Sequence, residues 1–237
     1  ERLGYSESLI IEEADVIVLN TCMVRQSAED KAIGRLSSLK PLKKKNPDLV
    51  LGVMGCMVGF KDQTEIRKKL PYVDVFAPPS NPKPIIDFLI RREYIGEASA
   101  SRNVETDMVW ESGKLTLPAS RRKKTVAGFI PIVYGCSHAC AYCIIPYKRG
   151  AERSRNPQEI LDHARSLAEQ GVKEVTLLGQ IVDRYGLDTA GYPTLAELLR
   201  EIHEIPGIER IRFLTSHPNW ITDELLDMVR ELPKVMK

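Results

Sequence analysis

A chain of 237 residues, 43% of them apolar, exceeds one typical domain and can bury one or two ordinary cores. The formal net charge of +2 is too small to argue for nucleic-acid binding by itself, so that case must rest on local clusters. The longest apolar runs, such as Ala127 to Tyr134 and Val175 to Leu178, fall far short of the roughly 20 residues of a membrane-spanning helix, so no membrane association and no secretory signal are expected.

The first third alternates strand-like and helix-like stretches. Val16-Ile17-Val18-Leu19 is a short β-branched run of the kind buried in a parallel sheet, and it ends at Asn20-Thr21-Cys22. Ser27 offers an N-cap for a helix whose apolar positions are Ala32, Ile33, Leu36 and Leu39. The pattern repeats with a strand from Leu49 to Met54, then Gly55-Cys56, then a helix from about Asp62 to Leu70. Val73 to Phe76 and Pro84 to Arg92 supply a third pair. Residues 96–125 lose periodicity and end in the basic run Arg121 to Lys124, the composition of an interdomain linker.

A second series starts with a strand at Phe129 to Val133. Asn156 caps a helix with Pro157 at its first position and Gly171 at its end. A strand at Val175 to Leu178 follows, then a helix from the capping box of Thr194 and Glu197 to about Ile205. The last strand, Arg210 to Leu214, precedes a helix capped by Thr222 that runs to about Leu232. The predicted class is α/β throughout: a parallel-sheet domain over 1–95, then a barrel or open parallel sheet over 126–237, with chemistry at the strand ends. The opening Glu1 to Tyr5, without an initiator Met, and the closing Lys234 to Lys237 predict that both ends are cut.

Five cysteines, three of them within eight residues, suit metal or cluster ligation in a reducing compartment better than a disulfide framework, which predicts a cytoplasmic protein. Cys136, Cys140 and Cys143 form a C-x3-C-x2-C motif directly after the first strand of the second series. Three thiolates on one loop can hold three irons of a 4Fe-4S cube and leave one open, whereas common electron-transfer clusters use four. An open iron can chelate a small ligand and pass it an electron, the arrangement needed to cleave S-adenosylmethionine (SAM). The alternative is a zinc site completed by His138 or a distant Cys, although zinc sites usually read as two C-x2-C pairs.

The stretch from Tyr134 through Cys143 to Arg155 resembles the signature of the radical-SAM methylthiotransferase family, and the MiaB-type tRNA enzymes most closely through Arg149-Gly150-x-Glu152-x-Ser154-Arg155. Asp15 to Arg25 and Gly52 to Met57 are similar to the two later cysteine segments of that family's N-terminal domain. The resemblance implies two 4Fe-4S clusters: a SAM-binding one on Cys136, Cys140 and Cys143, and an auxiliary one on Cys22, Cys56 and a cysteine that would precede Glu1. It implies a fold that continues past Lys237 into the rest of a partial TIM-like barrel and a small RNA-binding domain. Tyr142 occupies the position of an aromatic residue beside SAM, or is a packing residue. Gly179-Gln180-Ile181-Val182-Asp183 is similar to a Gly-Gln-Asn-Val-Asn segment near the SAM methionyl group, which makes Gln180 a candidate SAM contact and leaves no polar group at Ile181. Ser216-His217-Pro218 resembles the tRNA branch, with Ser216 toward the cofactor and His217 toward RNA, or merely solvated.

Among basic clusters, Lys40 to Lys45 reads as solvated surface. Arg149, Arg153 and Arg155 lie next to the cysteine loop, where a phosphate or SAM carboxylate would arrive, with Glu152 placed to orient them. The implied reaction transfers a methylthio group to carbon 2 of isopentenyl-adenosine beside the tRNA anticodon, using SAM both as methyl source and as radical source. The implied partners are tRNA and a reductant such as flavodoxin or ferredoxin, with the enzyme a monomer. The alternatives are a methylthiotransferase acting on threonylcarbamoyl-adenosine or on a ribosomal protein and, from another class, a non-catalytic, metal-stabilised RNA-binding module.

Overall fold

The structure, a computed structural model, describes residues 3–60, 63–95 and 125–236. The predicted linker lies outside the described residues except for Thr125, as do Arg121 to Lys124, the helix start at Asp62, and Glu1, Arg2 and Lys237. Two compact units emerge: the described residues up to 95 with His138–Gly150, and residues 125–137 with 151–236. Both are mixed α/β with parallel sheets, as the alternation predicts.

In the first unit, β1 (Val16–Thr21), β2 (Val50–Gly55) and β3 (Val75–Ala77) form a parallel sheet in that order. The helices are α1 (Gln26–Lys45), α2 (Thr64–Lys69) and α3 (Lys83–Ile95). Alternate residues of β2 face opposite sides of the sheet. Val53 joins Leu36, Met57, Leu70 and Phe76 on one side, and Val50 joins Val75, Ile85 and Leu89 on the other. β1 departs from the expected fully buried strand. It is the edge of the described sheet, and Val18 is 42% exposed. Ser27 also departs from its expected role: α1 begins at Gln26, two residues earlier than a cap at Ser27 would set, and Arg25 at its N-cap makes no side-chain capping bond. Lys43 fastens the end of α1 by bonding both Asp74 oxygens, and Asp74 Oδ2 accepts the Leu51 N–H.

The second unit has β4 (Ala127–Pro131), β7 (Glu174–Leu178) and β8 (Arg210–Leu214) in a parallel sheet ordered β4-β7-β8. Between them come β5 (Val133–Tyr134) and β6 (Arg153–Ser154), which pair antiparallel. The expected strand from Phe129 to Val133 is therefore two strands: Pro131 ends the parallel pairing, and Ile132 donates to Leu178 before the chain turns into β5. Helices α5 (Pro157–Glu169), α6 (Leu195–His203) and α7 (Asp223–Glu231) follow. Their predicted caps are present. Asn156 accepts from Gln158 N, Thr194 and Glu197 form a reciprocal capping box, and Thr222 accepts from Leu225 N.

Ile130, Val175, Leu177 and Ile211 point toward these helices and join Ile160, Leu198, Leu199 and Ile202 in one continuous core. The register pairs Phe129 with Thr176 and Arg212 on the other face, where Phe129 is 62% exposed. Helices on one face and an open inner face describe the first βα units of a barrel wall. Among the described residues, no helix is long and apolar enough to cross a membrane.

Candidate functional site

The cysteine loop starts where β5 ends. Gly135 turns the chain with a φ of 69°, a left-handed conformation that glycine adopts without strain, and Cys136 follows, buried. Cys140 and Cys143 are half-buried, and the Cys143 N–H donates to the Cys140 carbonyl at 3.0 Å, which makes the intervening residues a tight turn. The short helix α4 (Ile145–Arg149) comes next, with Pro146 in its first turn, and Gly150 ends it at a φ of 76°. None of the five cysteines forms a disulfide. Tyr142 is 93% exposed, which disposes of its packing role within the described core.

Cys22 and Cys56 follow Thr21 and Gly55, which are register partners at the ends of β1 and β2, so both cysteines start from neighbouring points of one sheet edge. Gly55 has a φ of 103°, and a Cβ there would sit 2.3 Å from the Thr21 carbonyl oxygen. Thr21 completes the turn: its hydroxyl donates to Met54 O at 2.7 Å and its carbonyl accepts from Cys56 N at 3.1 Å. Cys22 is exposed and Cys56 is 2% exposed. The Cys56 sulfur accepts the Nε–H of Arg149 at 3.1 Å, so Arg149, a sequence candidate for a phosphate or SAM carboxylate, is engaged on a thiol within the first unit.

In the second unit, Gln180 and Ser216 are brought to adjacent strand ends. Gly179 N donates to Leu214 O and Thr215 N donates back to Gly179 O. A side chain at Gly179 would press on Val133 and Val182 at 3.1 Å, which is why glycine closes this strand. Gln180 is half-buried and Ser216 exposed. His217 is built into the following turn: its N–H donates to Asp183 Oδ2 at 2.6 Å, and its Nδ1 accepts from Asn219 N at 3.3 Å.

The arginines separate by environment. Arg153 is exposed, with its guanidinium 5.7 Å from the Tyr134 ring centre. Arg155 is buried, donates to Pro131 O at 2.8 Å and faces Glu159 at 3.8 Å, an internal brace on the end of β4. Glu152 does not orient Arg149 or Arg155 as anticipated. Its side chain, 3% exposed, accepts the Nε–H of Arg184 on both carboxylate oxygens at 2.9 and 3.0 Å, and Arg184 also lies over the Trp220 ring at 4.0 Å. Neither Arg184 nor Trp220 stands out in the sequence, because no local pattern links positions 152, 184 and 220.

Ser154 gives both its N–H and its hydroxyl to Asp188 while accepting from Gly186 N. Burial pushes Asp188 up, but hydrogen bonds from Ser154, joined by those from the Asp188 backbone and the Thr189 side chain, together hold the carboxyl below its usual range. Tyr185 is raised by burial and stays a phenol that donates to Arg155 O.

Residues 1–78 match the model of the uncharacterized protein family UPF0004, and residues 130–236 match that of the radical SAM superfamily. The chain is 42% identical over 237 residues to a tRNA-2-methylthio-N(6)-dimethylallyladenosine synthase of Roseiflexus sp. (strain RS-1), covering 100% of this chain and 46% of that protein. It is 44% identical over 239 residues to the protein of the same name from Dictyoglomus thermophilum, covering 99% of this chain and 52% of that one. The chain thus spans about half the length of the curated relatives it matches. Among solved structures, the radical SAM methyltransferase TsrM from Kitasatospora setae, with cobalamin and a [4Fe-4S] cluster bound, superposes with a TM-score of 0.58 at 17% identity. That match covers 93% of this chain and 48% of that one, and it speaks to the fold alone.

Proposed function

We propose that this chain belongs to the radical SAM methylthiotransferase family and forms the cluster-binding part of an enzyme that adds a methylthio group to carbon 2 of isopentenyl-adenosine beside the tRNA anticodon. One observation carries this reading: identity of 42% and 44% across essentially the whole chain to two proteins whose names state the methylthio-dimethylallyladenosine product.

The donor set fits the cofactors. Cys136, Cys140 and Cys143 stand on a single loop outside any disulfide, and Cys22 and Cys56 leave neighbouring strand ends. When bound, the cluster on the three-cysteine loop supplies the electron that cleaves SAM, and the auxiliary cluster supplies the sulfur. A carbon–hydrogen bond of an adenine ring offers no acidic proton to a base, so polar chemistry by side chains cannot replace this step. The protein's own residues bind and orient. Gln180 and Ser216 meet SAM from the ends of β7 and β8, and Tyr142 stands by the cofactor. Arg153, exposed, and His217 serve the RNA, while Arg155 works from within as a brace. The proposed partners are tRNA and a flavodoxin- or ferredoxin-type reductant, and the proposed state is a cytoplasmic monomer.

The test uses the full-length protein, reconstituted without oxygen and assayed for iron, sulfide and 5′-deoxyadenosine under reduction, with mass spectrometry of tRNA nucleosides. Two clusters, SAM cleavage and methylthiolated isopentenyl-adenosine are expected. Zinc in place of iron, or no 5′-deoxyadenosine, overturns the enzyme reading. A methylthio group found instead on threonylcarbamoyl-adenosine or on a ribosomal protein overturns the substrate.

A further inference from the structure

Arg149 and Cys56 are 93 positions apart, yet the guanidinium Nε–H reaches the sulfur at 3.1 Å. Both sides of this contact are fixed. Cys56 leaves a turn held by the Thr21 hydroxyl and carbonyl, and only glycine fits at Gly55 before it. Arg149 ends α4, and the segments on either side run close: a Cβ at Gly59 would lie 3.4 Å from Lys148 Cδ, and one at Gly150 would lie 3.7 Å from the Phe60 ring.

A guanidinium keeps its proton under all ordinary conditions, and its N–H groups bond most strongly to acceptors that carry negative charge. A neutral thiol is a weak acceptor. Directing a cationic donor at the sulfur of a residue that is 2% exposed is physically sensible when that sulfur is a charged ligand, because water is excluded from competing for it.

We propose that Arg149 is a positioning and tuning residue of the auxiliary cluster. It keeps its bond to the Cys56 sulfur when that sulfur is bound to iron and raises the cluster's reduction potential. One-electron reduction makes the cluster more negative, so a fixed cationic N–H donor stabilises the reduced form more than the oxidised one. Arg149 also stands on the segment that carries Cys140 and Cys143. A single side chain therefore ties the loop of one cluster to a ligand of the other. The inference rests on the cofactor assignment above and assigns Arg149 to a sulfur instead of a phosphate or SAM carboxylate.

The experiment isolates the auxiliary cluster in the full-length protein by Cys136→Ala, Cys140→Ala and Cys143→Ala together, then titrates it with dithionite through mediator dyes while following EPR and absorbance. Arg149→Gln is expected to move the midpoint to more negative potential, and Arg149→Lys to move it less, since the charge is kept but the planar fork is lost. A midpoint in Arg149→Gln that coincides with the parent overturns the proposal. If the Gln variant takes up no iron, Arg149→Lys decides in the same way: shifted supports, unshifted overturns. A parent that loses no iron on Cys56→Ala refutes instead the cofactor assignment on which the inference stands.

Discussion

The two parallel sheets, β1-β2-β3 and β4-β7-β8, each place cysteines or candidate SAM contacts at strand ends, yet they are packed on different plans. The first is covered on both faces, so its apolar side chains divide into separate clusters, the smallest being Leu39, Leu49 and Leu51. The second is covered on one face and gathers its apolar residues into a single core, leaving Phe129, Arg212 and Leu214 on the open side. Side-chain caps follow the same division: α5, α6 and α7 have them, and α1 and α2 do not. A wall with one continuous core and well-capped helices suits a scaffold, whereas a divided core leaves the edge with Cys22 and Cys56 dependent on a few turns.

The largest expected effect tests whether chemistry resides in the loop rather than in either sheet. Cys140→Ala in the full-length protein should reduce 5′-deoxyadenosine formation to background while leaving hydrogen-exchange protection of both sheets unchanged. Residual turnover would show that the loop is not the reacting centre.

Next comes the contrast of cores. Leu199→Ala in the continuous core should cost about 4 kcal/mol, and Leu39→Ala in the small cluster about 2 kcal/mol, because a cavity beside fewer neighbours collapses more readily. Hydrogen exchange read by mass spectrometry resolves the opening free energy of each unit separately. Equal losses would break the comparison.

A pH effect should belong to the second unit. Burial, with Arg155 as the second cause, lowers His163 from 6.5 to about 4, so its ring is neutral in the fold. The unfolded chain takes up a proton below about 6.5, so the stabilisation is complete above that pH and is lost as the pH falls toward about 4. The full loss is about 3 kcal/mol at roughly 1.4 kcal/mol per pKa unit. His163 Nδ1 has no hydrogen-bond partner among the described residues, so His163→Leu should flatten this slope in denaturant titrations between pH 4 and 7.

The smallest effect separates the helix starts. Thr194→Ala removes one half of a capping box and should cost about 1 kcal/mol, whereas Ser27→Ala should cost close to nothing, since Ser27 caps no helix. Thermal melts of the two variants decide this.

Much of the architecture was legible because its causes are local. The capping box at Thr194, the cap at Asn156 before Pro157, and the strand at Arg210 to Leu214 each follow from residues within a turn or two of one another. Where the reading strayed, neighbours distant in sequence intervened. Val18 looks like a core residue until the sheet order makes β1 an edge, and Glu152 looks like a partner for Arg149 until Arg184 arrives from 32 positions away.

The sequence by itself determined the α/β alternation, the helix caps and the three-thiol loop, since periodicity, capping and motif spacing act over a few residues. Only the tertiary structure decided which arginine meets which partner: Arg149 a sulfur, Arg155 a carbonyl, Arg184 a carboxylate and an aromatic ring. A long cationic side chain is committed by whatever acceptor the fold brings within about 3 Å of its end, and strand order and loop closure set that acceptor.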